Sequence, residues 1–362
     1  MSETEIEIPD IDAPYSPKAT REVIGQDRAI NSFLRACETE RLAHAWLFSG
    51  PKGSGKMSLA LNIARCFLET GVPRSRAQIF DAYDAPQGHL ITRGVHPDIR
   101  IMQRRYDLVK SKFRQSIEID DVREVTRFFS HSSGRGGWRV AIVDSLDVMS
   151  IKAANALLKL VEEPPSKSLI ILINHNSGRL LDTLRSRTRR LSFSGLSTPY
   201  LMQILAHHLP NEPAQKLEAA SFLSSGSAHK ALRLASGDGL EQFQRLIDSM
   251  ISARDGDLKT VHEFSDFITA RDQPDRFELF FELLSDWVMR VTRAKTGVEV
   301  YQPLYQSEQG LVEALTRSSS FDQLISLWEK INENGRSALA LNLDRKQTVM
   351  MSLLLVSKAS VA

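Results

Sequence analysis

In the first half of the chain, short apolar runs alternate with stretches that have helical spacing. The clearest runs are rich in β-branched residues and leucine, and they lie at 45–49, 98–102, 138–144 and 168–174. Runs this continuous suit strands that helices cover on both faces, as in parallel sheets. The pattern over 21–195 therefore predicts an α/β domain with a mostly parallel sheet.

Beyond about residue 195 the strand signals cease and helical spacing takes over. The widest apolar stripe lies within 276–294 and consists of Phe277, Phe280, Phe281, Leu284, Trp287 and Val291. A stripe of this width is typical of a buried core or a subunit contact. We predict a small helical unit at 196–250 and, after the polar break "SARDGDL" (252–258), an all-helical C-terminal domain at 255–362.

The remaining N-terminal segment, 1–20, is acidic and proline-containing without periodicity, which predicts a flexible arm. Hydrophobic residues make up 42% and charged residues 25% of the chain, as in ordinary soluble globular proteins. No apolar run approaches a membrane span and no basic start precedes an apolar run, so we expect a cytoplasmic protein with no membrane partner.

The charge and the cysteines narrow the classes of function further. The formal net charge is +2, which does not favour tight nucleic-acid binding through bulk charge. Cys37 and Cys66 are the only cysteines and lack C-x-x-C spacing. Neither a disulfide framework nor a cysteine zinc site is expected.

The stretch "GPKGSGKM" follows the first apolar run and precedes a helical pattern, which is the order of strand, phosphate-binding loop and helix. Glycines let backbone N–H groups face phosphates, the helix N-terminus adds positive potential, and the lysine reaches the β and γ oxygens. A glycine-rich turn that binds nothing is the other interpretation. The candidate nucleotide-binding residues are Gly50, Pro51, Lys52, Gly53, Ser54, Gly55, Lys56 and Met57, together with Asp144 at the end of the third apolar run.

Two residues of this candidate site depart from the pattern of a hydrolase. Met57 stands where a hydroxyl would ligate Mg²⁺, and a thioether is a poor ligand for a hard cation. Ser145 follows Asp144, at the position where a glutamate would orient and deprotonate the attacking water. Asp144 can serve as a Mg²⁺ partner or simply cap a turn. We expect ATP to bind weakly or not at all.

Four stretches carry a resemblance to a known family: "HAWLFSGPKGSGK" (44–56), "GVHPDIRIM" (94–102), "NALLKLVEEPP" (155–165) and "LLDTLRSRTRRLSF" (180–193). Together they resemble the clamp-loader branch of the AAA+ proteins, and within it the delta prime family of bacterial DNA polymerase III. The resemblance covers about 20–235 strongly and the C-terminal third more loosely. It implies an α/β P-loop AAA+ module, a helical lid and a helical collar that holds a ring of subunits together.

The resemblance also implies partners and a site residue. The partners would be the gamma or tau and delta subunits and, through the complex, the sliding clamp and primed DNA. In this family an S-R-C motif sends an arginine into the ATP site of the next subunit, and here the motif is Ser186, Arg187 and Thr188. Arg187 is the candidate catalytic residue, acting in trans, and an ordinary surface salt bridge is the alternative.

Further departures from the family's motor subunits, gamma and tau, point to little or no intrinsic hydrolysis. Those subunits would carry Ser or Thr at 57, Glu at 145 and an arginine where this chain has His229. The four-cysteine zinc module of many members is also missing, and with only His89, His96, Asp81 and Asp84 left as candidate ligands we expect no metal. The prediction is a delta prime-like scaffold. An active ATPase motor and a stand-alone P-loop enzyme remain the alternatives.

Overall fold

The computed structural model describes residues 16–38, 42–107, 112–130, 137–176, 182–270, 273, 275–297, 300–341 and 343–361. The chain divides into two compact units. One holds the residues up to 210 together with 226–232, and the other holds 211–225 and the residues from 233 onwards.

The elements of the α/β part, in chain order, are α1 (Asp27–Cys37), β1 (Ala45–Ser49), α2 (Lys56–Glu69), α3 (Arg76–Asp81), α4 (Pro86–Thr92), β2 (Ile99–Gln103), β3 (Tyr106–Asp107), β4 (Lys112–Phe113), α5 (Ile119–Ser130), β5 (Arg139–Asp144), α6 (Ile151–Glu162), β6 (Ser168–Asn174), α7 (Asp182–Arg187), β7 (Arg189–Ser192) and α8 (Thr198–His208). The helices that follow are α9 (Ala214–Leu223), α10 (Ala228–Ser236), α11 (Gly239–Arg254), α12 (Leu258–Ile268), α13 (Asp275–Lys295), α14 (Glu308–Ser318), α15 (Phe321–Leu341) and α16 (Arg345–Val361).

A five-stranded parallel sheet in the order β2-β5-β6-β1-β7 forms the centre of the first unit. Its three inner strands alternate between two hydrophobic clusters, because successive side chains point to opposite faces. Trp46 and Phe48 pack with α1 and α2 on one face. Ala45 and Leu47 pack with α5, α6 and α7 on the other. The predicted parallel α/β class is confirmed.

The register of the strands places polar side chains at one edge of the sheet. Ser49 at the end of β1 pairs with Asn174 at the end of β6, and Asp144 at the end of β5 pairs with Ile173. The carboxyl ends of parallel strands are where ligands bind in open α/β sheets. The loop that carries residues 50–55 leaves the sheet at this edge, and Gly50 N–H donates to Asn174 O over 3.3 Å.

The second unit is helical throughout its described residues. The predicted stripe on α13 is buried at Phe277, Phe280, Leu284, Trp287 and Val291, each at most 1% exposed, whereas Phe281 is only half-buried. A turn that contains Gly256 separates α11 from α12, and the Asp257 side chain caps α12.

The compact units divide after 210, 225 and 232 and not at the predicted boundaries of 195 and 250. A lid at 196–250 and a collar at 255–362 stay predictions. Most of the predicted arm, 1–15, lies outside the described residues. Its last part is packed rather than loose, because Arg65 of α2 donates to Lys18 O over 2.6 Å and Asn62 donates to Thr20 O over 3.3 Å.

Within the described part of the chain, no helix is both long enough and apolar enough to cross a membrane.

Candidate functional site

The loop between β1 and α2 has the backbone shape of a phosphate-binding loop. Gly53 has φ of +76° and Gly55, which precedes the first residue of α2, has φ of +88°. Only glycine adopts this left-handed region without strain. These two glycines thus set the shape of the loop that leads into α2.

The Lys56 side chain turns back into this loop. Its Nζ donates to Gly50 O over 2.8 Å and to Pro51 O over 2.5 Å, and it lies 3.4 Å from Ser54 Oγ. Lys56 is only 2% exposed. Burial lowers the pKa of this ammonium to about 8, and the charges of Asp144 and Asp147 partly offset the effect. The lysine is therefore a charged group that the loop itself holds.

Met57 and Ser58 are the second and third residues of α2 and lie in its first turn. Met57 packs against the hydrophobic cluster on the α1 and α2 face of the sheet. Ser58 is buried at 8% exposure. Because one step along a helix turns a side chain by about 100°, its hydroxyl does not replace the one that Met57 lacks.

Asp144 lies where the sequence predicts, at the end of β5 beside the loop. Its Oδ1 is 3.3 Å from His175 Nε2, a distance at which a protonated imidazole would form an ion pair. The backbone N–H of His175 donates to Asp147 Oδ1 over 3.1 Å. The next residue, Ser145, is buried at 8% exposure. The position of a general base thus holds a hydroxyl, which cannot take a proton from water at neutral pH.

Sequence reasoning missed Asn174 and His175, which complete this edge of the site. Asn174 is fully buried, and its Nδ2 donates to Asn176 O over 3.0 Å. None of the described residues donates a hydrogen bond to its Oδ1. An amide side chain there can orient a polar ligand. The sequence did carry a signal for Asn174, because five apolar residues precede this asparagine in the run "SLIILIN".

Residues that begin α10 cover the loop within the same compact unit. Ala228 N–H donates to Gly53 O over 3.0 Å. A side chain at Gly53 would overlap Ser227 Oγ and would lie 3.2 Å from Cβ of His229. His229 itself is exposed. His229, the residue that the sequence analysis placed where a motor subunit would carry a nucleotide-sensing arginine, thus lies beside the loop.

Arg187 is far more exposed than the loop residues. It is the last residue of α7, and 42% of its side chain is exposed. Its Nε lies 2.5 Å from Glu162 Oε1, and its Nη1 donates to Thr183 O over 3.2 Å. The surface salt bridge of the alternative interpretation is thus present, and the role of Arg187 in trans stays a prediction.

No group of three or more His, Cys, Asp or Glu side chains comes together as metal ligands in the described ranges. Both ring nitrogens of His96 are engaged elsewhere. Its Nε2 lies 2.8 Å from Gln87 Oε1, and its Nδ1 accepts from Asp98 N–H over 3.0 Å.

Comparisons with known proteins agree with this geometry. Residues 25–197 match the family model described as "DNA polymerase III, delta subunit". DNA polymerase III subunit delta' of Pseudomonas aeruginosa is 31% identical over 208 residues, which are 58% of this chain and 60% of that protein. DNA polymerase III subunit tau of Salmonella typhimurium is 27% identical over 67% of this chain and 37% of its own length.

Among solved structures, a DNA polymerase III gamma subunit-related protein from Thermotoga maritima aligns with 92% of this chain and 99% of its own. The TM-score of this alignment is 0.49, and the sequence identity is 16%. The chain matches less than two thirds of the length of its curated relatives.

Over the α/β part, the chain is therefore similar to DNA polymerase III subunits of the delta', tau and gamma type. The delta' subunits that it matches are those of Pseudomonas aeruginosa, Bacillus subtilis and Escherichia coli, at 29% to 33% identity over 46% to 58% of this chain.

Proposed function

We propose that the chain is a largely non-hydrolysing subunit of the DNA polymerase III clamp loader. In this role it helps to load the sliding clamp onto primed DNA, and it supplies Arg187 in trans to ATP bound by a neighbouring subunit. The names of its relatives say that they are delta', tau and gamma subunits of DNA polymerase III, and the proposal extends this membership to the present chain.

The observation that carries the proposal is the packing of Met57. Its partly buried side chain packs against the hydrophobic cluster of the α1 and α2 face, at the first turn of α2, where a hydrolase needs a metal-ligating hydroxyl. Ser145 adds a second loss, because it offers no carboxylate to activate water. With both groups missing, Lys56 and Asp144 can at most hold a nucleotide weakly.

The exposure of Arg187 supports the second half of the proposal. A guanidinium that acts on another subunit must reach beyond its own domain, and 42% of this side chain is exposed. Such an arginine stabilises the charge that develops on the transferring phosphoryl group. The partners that follow are the gamma or tau and delta subunits, with the clamp and DNA contacted through the complex.

ATP hydrolysis by the purified chain tests the proposal. With Mg²⁺ present, we expect no turnover above that of the protein-free buffer, and the same result for Lys56→Ala. Turnover that Lys56→Ala abolishes would instead identify an active motor.

Gel filtration with the other clamp-loader subunits tests the predicted partnership. We expect the chain to elute with them as one complex. A chain that always elutes alone would point to a stand-alone P-loop enzyme.

A further inference from the structure

Arg187 and Glu162 lie at corresponding ends of two neighbouring helices. Glu162 is the last residue of α6 and Arg187 is the last residue of α7. Their side chains meet with 2.5 Å between Nε and Oε1. This contact does not involve the phosphate-binding loop. Its effect on the orientation of Arg187 is therefore a separate question.

Hydrophobic packing fixes the positions from which the two side chains start. Leu184 of α7 is 2% exposed and shares a hydrophobic cluster with Leu157 and Val161 of α6. Since residues three apart lie on neighbouring positions of a helix surface, burial of Leu184 directs Arg187 towards α6. Glu162 directly follows the buried Val161. The two helix ends are thus held together by apolar contacts, independently of the ion pair.

The end of α6 is also determined by the sequence. Pro164 and Pro165 follow shortly after Glu162, and a proline disfavours helical conformation in the residue before it. Glu163 therefore leaves the helix and is exposed, with φ of −120° and ψ of 67°. Only the first of the two adjacent glutamates makes an ion pair with Arg187 among the described residues.

The described contacts of the Arg187 guanidinium involve Nε and Nη1 and do not involve Nη2. Glu162 contacts Nε, and Nη1 donates to Thr183 O over 3.2 Å and lies 3.3 Å from Ser186 Oγ. Among the described residues, none accepts a hydrogen bond from Nη2. A carboxylate that sequestered the arginine would take two parallel N–H groups of the planar fork. The single contact at Nε instead fixes the plane of the group while the distal nitrogen can still donate.

We propose that Glu162 is a positioning residue that orients Arg187 towards the phosphates of a nucleotide in a neighbouring subunit. This inference rests on the proposed function of Arg187 in trans. Both partners are more than two fifths exposed, so the ion pair is weak enough to let the guanidinium adjust when a partner docks. It still narrows the rotamers of a long, flexible side chain, which reduces the ordering needed at the moment of reaction.

The test is single-turnover ATP hydrolysis by the assembled clamp loader that contains this chain. Glu162→Gln should lower the rate at the site that receives Arg187 by about three- to tenfold, because the guanidinium loses its orientation but is not removed. Glu163→Gln is the matched control, since it removes the same charge one residue away, and it should leave the rate unchanged. Gel filtration and thermal melting should show that both variants assemble and fold as the unchanged chain does.

A double-variant cycle separates positioning from a general structural effect. In an Arg187→Ala background, Glu162→Gln should cause no further loss, because the group that it positions is missing. A further loss of rate in that background would overturn the inference. If Arg187→Ala slows the reaction, an unchanged or raised rate for Glu162→Gln alone would overturn it as well. If Arg187→Ala itself has no effect, the proposed function of Arg187 fails instead.

Discussion

Lys56 and Arg187 are both cations that the P-loop pattern and the clamp-loader motif connect with ATP, yet the structure places them in opposite environments. Lys56 is 2% exposed, and its ammonium binds two carbonyl oxygens of its own loop. Arg187 is 42% exposed and contacts its own domain through Nε and Nη1. The first cation is directed inward, and the second can reach another molecule.

Under the proposed function, this difference separates a loop that holds its own lysine from an arginine that acts on another molecule. Around Lys56, the loop is covered by the start of α10, and the partly buried Met57 packs against the hydrophobic core. Among the described residues, the ion-pair partner of Arg187 is a half-exposed carboxylate, that of Glu162. We therefore expect substitutions near Lys56 to change the stability of the chain, and substitutions at Arg187 to change the rate of the complex.

The largest effect should come from Arg187→Ala. At the ATP site that receives this arginine we expect a loss of about 10³-fold in the rate of hydrolysis, as for other arginines that act in trans. The measurement is single-turnover hydrolysis by the assembled complex. Arg185→Ala is the control, because Arg185 is also an exposed arginine of α7.

Equal rates for the Arg187→Ala and Arg185→Ala complexes would contradict the outward role of Arg187. The free energy of unfolding should change little in either variant, by less than about 1 kcal/mol, since half-exposed ion pairs contribute little to stability. A large loss of stability at Arg187 would remove the contrast with Lys56.

Gly53→Ala should cause the next largest effect, on stability. The backbone at Gly53 has φ of +76°, and a Cβ there would overlap Ser227 Oγ. We expect a loss of about 2 to 4 kcal/mol in the free energy of unfolding, from the left-handed backbone and the overlap together. Urea denaturation measures it.

Gly256→Ala separates the effect of the left-handed backbone from the effect of the overlap with a neighbouring side chain. Gly256 has φ of +84°, but a Cβ there would meet nothing within 4 Å. We expect a loss of about 1 kcal/mol from the backbone conformation alone. If both variants lose the same amount, the contact between the loop and Ser227 contributes nothing, and the loop is less enclosed than the structure indicates.

The smallest predicted effect is a pH dependence from Lys56. Its pKa is about 8 in the folded chain and 10.5 ordinarily, so the unfolded chain binds more protons between these values. The contribution of Lys56 to the free energy of unfolding should therefore rise as the pH goes from 8 to about 10.5. Relative to Lys56→Met, the unchanged chain should gain about 1 to 3 kcal/mol over this range.

Urea denaturation of both proteins at several pH values checks this, and subtracting the variant removes the titration of all other groups. A difference that stays flat or falls with pH would show that Lys56 is not held in a desolvated environment.

The main strands could be predicted because their apolar runs are long and continuous. The runs at 45–49 and 168–174 coincide with β1 and β6, and those at 98–102 and 138–144 differ from β2 and β5 by one residue. Strand β7 was missed because it is an edge strand with one buried residue, Leu191, among exposed arginines. Periodicity does not detect so short a pattern.

The site was predictable in its backbone and not in its contacts. The spacing of Gly50, Gly53 and Gly55 is enough to predict a loop and a helix N-terminus. The cover over Gly53 comes from Ser227 and Ala228, more than 170 residues later in the chain. Contacts between such distant segments follow from tertiary packing, which local sequence patterns do not encode.

The central claim is most directly tested by comparing Lys56→Met with Arg187→Ala in otherwise identical clamp-loader complexes. The rate of ATP hydrolysis should fall strongly with Arg187→Ala and remain unchanged with Lys56→Met, because Arg187 acts on a neighbour's nucleotide and Lys56 only holds its own loop. The reverse result, a rate that depends on Lys56 and not on Arg187, would contradict the account.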